Sequence, residues 1–128
     1  MIWYIAFGSA LGGAARYLFG GWIQGRAGPD FPVGTLVINV TGSFLLGLLY
    51  RYAADSAAIT PEVRAMLTIG ICGGYTTFSS FSLQTLNLLR DREWLYAGGN
   101  VILSVVLCLV AVWLGWQLGS MVNSMKGN

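Results

Sequence analysis

Gly70-Ile71-Cys72-Gly73-Gly74-Tyr75-Thr76-Thr77-Phe78-Ser79-Ser80-Phe81-Ser82 interrupts what would otherwise be one long apolar helix. Glycine costs about 1 kcal/mol relative to alanine inside a helix, so three of them beside two threonines predict a break, placed between Gly73 and Thr77. A run of hydroxyls and aromatic rings follows immediately. Within a membrane, irregular backbone persists only where protein covers it or where it lines a polar cavity. A helix broken at mid-membrane depth is therefore a candidate binding or permeation site.

The chain around this stretch reads as an integral membrane protein. Of its 128 residues 55% are hydrophobic and only 9% charged, whereas soluble domains carry about 25% charged residues. Crossing a bilayer as a helix takes about 20 apolar residues. Four segments meet that length: residues 3–23, 33–52, 63–89 and 94–121. The expected fold is all-α, a single four-helix transmembrane domain over residues 1–128 with the third helix broken. No cleavable signal peptide is expected, because no basic stretch precedes the first apolar segment and that segment is too long. Thr60 is placed to cap the third segment, with Pro61 at its first turn. Trp3, Tyr4, Trp22, Tyr50, Tyr52, Trp94 and Tyr96 fall near segment ends, as interfacial aromatics do.

The loop charges carry a second message. With four spans, Arg51, Arg64 and Lys126 share one side of the membrane, and Arg26, Arg90 and Arg92 share the other. Orientation follows an excess of Lys and Arg in cytoplasmic loops, and three against three is no excess. The balance predicts dual topology: chains insert both ways and pair as antiparallel homodimers.

Small and polar residues inside the spans recur every four residues, on one helix face. Gly8, Gly12, Arg16 and Gly20 form the first stripe, Thr35, Asn39, Ser43 and Gly47 the second, Asn100, Ser104 and Cys108 a weaker third. Arg16 either snorkels to the interface or lines an aqueous vestibule that concentrates anions. Asn39 is either interhelical glue or a pathway ligand. Gly115 and Gly119 form a GxxxG pair, read as packing.

At the break itself, carbonyls ending the first half-helix suit a hard cation such as Na⁺, while amides opening the second suit an anion. Thr76 and Thr77 add hydroxyls, and Thr77 is placed to cap the second half. Phe78 and Phe81, three apart, offer ring edges to a partly dehydrated anion or pack as ordinary apolar side chains. Ser79, Ser80 and Ser82 interleave with them.

Several classes fall away. There is no histidine, and Cys72 and Cys108 lie far apart in apolar segments, so neither a metal cluster nor a nucleophile–histidine pair is expected. All five acidic residues, Asp30, Asp55, Glu62, Asp91 and Glu93, lie in loops or at helix ends, which argues against an enzyme and against proton-coupled export. The basic residues are scattered, so no nucleic-acid partner is expected. A small multidrug-type dual-topology exporter would need a membrane-embedded Glu in the first helix, and residues 1–22 contain no acid. A passive assembly subunit would explain the glycine stripes but not the polar break.

Gly12-Gly13-Ala14-Ala15-Arg16-Tyr17, Gly34-Thr35-Leu36 with Asn39, Gly42-Ser43-Phe44, and Gly73-Gly74-Tyr75-Thr76-Thr77-Phe78-Ser79-Ser80-Phe81-Ser82 together resemble the Fluc (CrcB) family of fluoride channels. The resemblance covers the whole chain. It implies a dual-topology antiparallel homodimer in the bacterial inner membrane, with two fluoride pores, one structural Na⁺ at the dimer centre and no organic cofactor. It assigns the Na⁺ to carbonyls of Gly73 and Thr76 from both subunits. The fluoride pathway it implies comprises Asn39, Thr77, Phe78, Ser79, Ser80, Phe81 and, from the fourth helix, Ser104, with Arg16 at the vestibule. Gln84 departs from the family, whose members often carry Glu there, and Asn100 and Cys108 occupy positions where its polar groups vary. Fluoride itself follows from the resemblance alone; the rings and hydroxyls by themselves are compatible with a small anion.

Overall fold

A computed structural model, describing residues 1–127, is helical almost throughout. Helix α1 spans Ile2–Ala27 and α2 spans Val33–Ala54. Three abutting pieces, Pro61–Ala65, Met66–Cys72 and Gly73–Tyr75, make one rod, here α3. Two extended residues follow, then α4 (Phe78–Arg90) and α5 (Trp94–Lys126). The four expected segments are thus present, with the third divided into α3 and α4. By length and composition α2 and α5 are the two that qualify outright as membrane spans. Helix α1 has the length, at 26 residues, but carries Arg16 and six glycines.

What joins these helices is backbone contact through glycine rather than a thick apolar core. Lipid tails remove the hydrophobic drive for helix association, so close packing across small residues replaces it. A Cβ at Gly115 would run into the Phe44 carbonyl and lie 2.9 Å from the Leu48 nitrogen; one at Gly47 would strike the Val112 carbonyl. These positions, with Gly119 against Leu48 and Arg51, bring α2 and α5 together, and the GxxxG pair is packing as expected. On the other side Gly8 and Gly12 of α1 meet Gly70, Ile71 and Tyr75 of α3.

The glycines of the central stretch therefore do something other than break the helix. Gly70, Gly73 and Gly74 all lie in helical backbone. A Cβ at Gly70 would sit 3.0 Å from the Gly8 Cα, and one at Gly74 would sit 2.7 Å from the Ser9 carbonyl oxygen. Their lost helix propensity is offset by the approach of α1. Residues 66–72 are wound as a π-helix, in which the Gly73 N–H reaches the Thr68 carbonyl. The actual break is two residues long, Thr76 (φ −85°, ψ 157°) and Thr77 (φ −149°, ψ 121°).

The outer surface is apolar, as lipid-facing helices require: Leu95 is 90% exposed and Trp3 82%. At the ends Arg26 lies over the Trp22 ring, Arg51 over Trp116 and Lys126 over Tyr52, so cations and interfacial aromatics pair at the same level. Thr60 caps α3 by accepting from the Val63 N–H. Arg92 closes α4 with φ 60°, while the Glu93 N–H bonds the Leu88 carbonyl and the Arg92 N–H that of Leu89. This is a Schellman ending with arginine at the position that favours glycine.

Candidate functional site

The break is held by α2. Asn39 spans the backbone of Thr77: its Nδ2 donates to the Thr77 carbonyl at 2.9 Å, and its Oδ1 accepts from the Thr77 N–H at 2.7 Å. Both ends of the amide are thereby used, as a neighbouring β-strand would use them. Of the two sequence readings, the interhelical one describes these bonds. One turn along α2, a Cβ at Gly42 would lie 2.9 Å from the Tyr75 ring and would collide with the Thr76 methyl. Only glycine lets the extended residues lie against α2 here.

Once the chain leaves the helix, donors are redistributed. The Thr77 N–H, the helical partner of the Gly73 carbonyl, is turned to Asn39. The Ser80 N–H, four residues after Thr76, goes to the Thr77 hydroxyl at 3.1 Å, which makes Thr77 the N-cap of α4 as its position predicts. The Gly74 carbonyl receives the Arg16 Nε at 3.3 Å. The Thr76 hydroxyl folds back onto the Cys72 carbonyl at 2.9 Å. The carbonyls of Gly73 and Thr76 thus lose the donors that a continuous helix would supply, and Gly73 is exposed on this chain.

Two cavities flank the break. One, of about 380 Å³, is lined by Asn39 and Ser43 from α2, Thr76 and Thr77, Phe78 and Phe81 from α4, and Ser104 and Cys108 from α5. Five of the expected pathway residues, Asn39, Thr77, Phe78, Phe81 and Ser104, therefore meet in one groove. The two rings stand 5.4 Å apart and are tilted by 47°; Phe78 is 79% exposed and Phe81 half-buried. The other cavity, of about 480 Å³, brings Arg16, Thr35, Thr77, Ser80 and Gln84 together. Arg16 faces this space but is anchored on α3. Ser80 belongs to the second cavity and Ser79 to neither lining; the Ser79 hydroxyl lies 3.3 Å from that of Thr77. Thr77 is common to both cavities.

The fourth-helix stripe divides likewise. Asn100 is buried and donates to the Thr85 hydroxyl at 3.0 Å, the Thr85 hydroxyl donates to the Phe81 carbonyl at 2.8 Å, and the Ser104 hydroxyl reaches the Asn100 amide oxygen at 3.4 Å. Asn100 ties α5 to α4 behind the groove, whereas Cys108 lines it. Sequence reading missed Thr85 and also Gln24. The Gln24 amide donates to the Gly28 and Phe31 carbonyls and accepts from the Gly34 N–H, fixing the turn from α1 to α2. A long polar side chain just before a Gly- and Pro-rich turn is the signal that marks it.

Helices sheathed in apolar side chains, with one polar seam converging on a broken rod, define an all-helical membrane protein. The family described as "CrcB-like protein, Camphor Resistance (CrcB)" matches residues 3–116, and the chain belongs to it. It is 52% identical over 126 residues to a "Fluoride-specific ion channel FluC" of Methylocella silvestris, covering 97% of this chain and 96% of that one. A protein of the same name from Opitutus terrae is 50% identical over 127 residues, covering 98% and 96%. A third, from Rhodospirillum rubrum, is 47% identical over 122 residues, covering 94% and 95%. The family is one of ion channels and not of enzymes.

Proposed function

We propose that this protein is a passive fluoride channel of the bacterial inner membrane, working as an antiparallel dual-topology homodimer. The observation that carries the reading is the groove in which Asn39, Thr77, Phe78, Phe81 and Ser104 converge beside the helix break, in a chain about half identical to named fluoride channels. Hydroxyls and ring edges suit a small anion that has shed water, and no carboxylate lies inside a span to couple its movement to protons. Two pores, one along each copy's α4, follow from the pairing. Ser79 and Ser80 continue the hydroxyl track beyond the groove, and Arg16 lends positive potential to the vestibule while its Nε is held by Gly74.

The balanced loop arginines support the pairing, and so does α4, whose Phe78, Leu83 and Leu86 are 79%, 59% and 51% exposed beside the exposed hydroxyl-bearing Ser79 and Ser82. Hydroxyls on that face favour a protein partner over hydrocarbon.

A structural Na⁺ at the dimer centre fits the residues present. Gly73 and Thr76 carbonyls have had their helical donors diverted, and hard cations take such oxygens. Contributed by both copies, they would hold the ion, which supplies fixed positive charge and joins the two breaks. Rescue in cells tests the function: bacteria lacking their own fluoride export should grow in millimolar-range fluoride when this chain is expressed and not when Phe81→Ile is. Equal sensitivity with and without well-expressed wild type refutes the reading. C-terminal reporter fusions test the pairing, and a single orientation for all molecules rules it out.

A further inference from the structure

The break is gripped at a third point, one residue before the extended segment. The Tyr75 phenol lies 3.0 Å from the Thr41 hydroxyl. Thr41 Oγ1 has a single proton, directed to the Val37 carbonyl at 2.8 Å or that of Ile38 at 3.1 Å. The Tyr75 hydroxyl is therefore the donor and Thr41 the acceptor. The ring reaches Thr41 because Gly42 leaves room for it: a Cβ there would lie 2.9 Å from Cδ2 and 3.4 Å from Cε2. Helix α2 thus fixes three successive residues, Tyr75 by a phenol, Thr76 by contact with Gly42 and Thr77 by the Asn39 amide. Tyr75 is the last helical residue, so its anchor sets where the rod ends and how the Gly73 and Thr76 carbonyls are presented. Asn39 fixes only the far side of Thr76.

We infer that Tyr75 and Thr41 are positioning residues for the cation-binding carbonyls of Gly73 and Thr76, tightening Na⁺ binding by holding the end of α3 on α2. The inference rests on the proposal of a structural Na⁺. Neither side chain touches the ion; each acts through the backbone. The phenol–hydroxyl bond spends one hydrogen bond to keep a two-oxygen set ordered before the ion arrives, which is how preorganisation raises affinity.

Thermal unfolding of the detergent-solubilised protein tests this, with Na⁺ titrated against N-methylglucamine at constant ionic strength. Wild type should gain stability as Na⁺ is added. Tyr75→Phe and Thr41→Val should raise the half-saturating Na⁺ concentration about three- to tenfold, the equivalent of one net hydrogen bond, and Thr41→Ser should restore the wild-type value. Thr41 is exposed on the helix surface, so Thr41→Val keeps the test available if Tyr75→Phe folds poorly. An equal loss of stability at every Na⁺ concentration, with the half-saturating value unchanged, overturns the positioning role and leaves the sodium proposal standing. No Na⁺ response in wild type overturns the sodium proposal itself, and the inference with it.

Discussion

Replacing Asn39 with alanine removes both bonds to Thr77, and the cost can be worked from the contacts. An interhelical hydrogen bond in a bilayer is worth about 0.6 kcal/mol on average and about 1.7 at most, so two bonds give roughly 1–3 kcal/mol. The remaining partners are backbone groups of a residue that cannot return to a helix, because its own hydroxyl caps α4. A partly buried N–H left without a partner adds about 1–3 kcal/mol. The expected loss is therefore about 2–6 kcal/mol, a larger effect than removal of one interhelical bond. At about 4 °C per kcal/mol for a chain of this size, the midpoint should fall by about 8–24 °C. Asn39→Leu, which keeps the volume and removes both polar ends, should fall at least as far. Thermal unfolding read by tryptophan fluorescence and by loss of the folded size-exclusion peak measures it. A fall of less than about 2 °C in both variants refutes the clamp and leaves Asn39 as a side chain that serves only the groove.

Other outcomes follow from neighbouring parts of the structure. Phe78→Ile and Phe81→Ile should each cut fluoride flux in reconstituted vesicles at least about tenfold, a loss of about 1.4 kcal/mol, while the size-exclusion profile matches that of wild type; normal flux in both disproves the aromatic lining. Gly115→Val places a branched side chain against the Phe44 carbonyl and should cost about 3 kcal/mol or more, seen as lost expression or a midpoint lowered by more than about 10 °C. Arg92→Gly relieves a left-handed arginine at φ 60° and should stabilise the chain by about 0.5–1 kcal/mol. The same change unbalances the loop charges, so C-terminal reporters should shift toward the side bearing Arg51, Arg64 and Lys126 in the cytoplasm.

The four segments, the caps at Thr60 and Thr77 and the GxxxG packing were legible because each is a local rule. Apolar length, a hydroxyl before a helix and paired glycines need no knowledge of the partner. The location of the break was nearly legible, but for a reason that does not hold. Intrinsic propensity counts Gly70, Gly73 and Gly74 alike against the helix, but tertiary contact overrides it: the missing side chains of Gly70 and Gly74 admit α1, and the helix runs through all three. What ends the rod is the pair of threonines, held extended by α2 across more than thirty residues of sequence. That pairing has no local signature, so the choice between glue and ligand at Asn39 could not be made from spacing. The same limit applies to Asn100, whose i+4 stripe with Ser104 and Cys108 suggested one lining although its partner is Thr85 on α4. The π-wound segment at Met66–Cys72 was also illegible, since nothing in its residues distinguishes i+5 from i+4 bonding.

The central claim is that the groove of Asn39, Thr77, Phe78, Phe81 and Ser104 forms a selective route for a small anion. Its most direct test is efflux from proteoliposomes loaded with equal concentrations of fluoride and chloride, each ion followed by its own electrode after the membrane potential is collapsed with valinomycin. The account predicts prompt fluoride release while chloride stays inside. Matched release of both ions, or retention of both by well-folded protein, contradicts it.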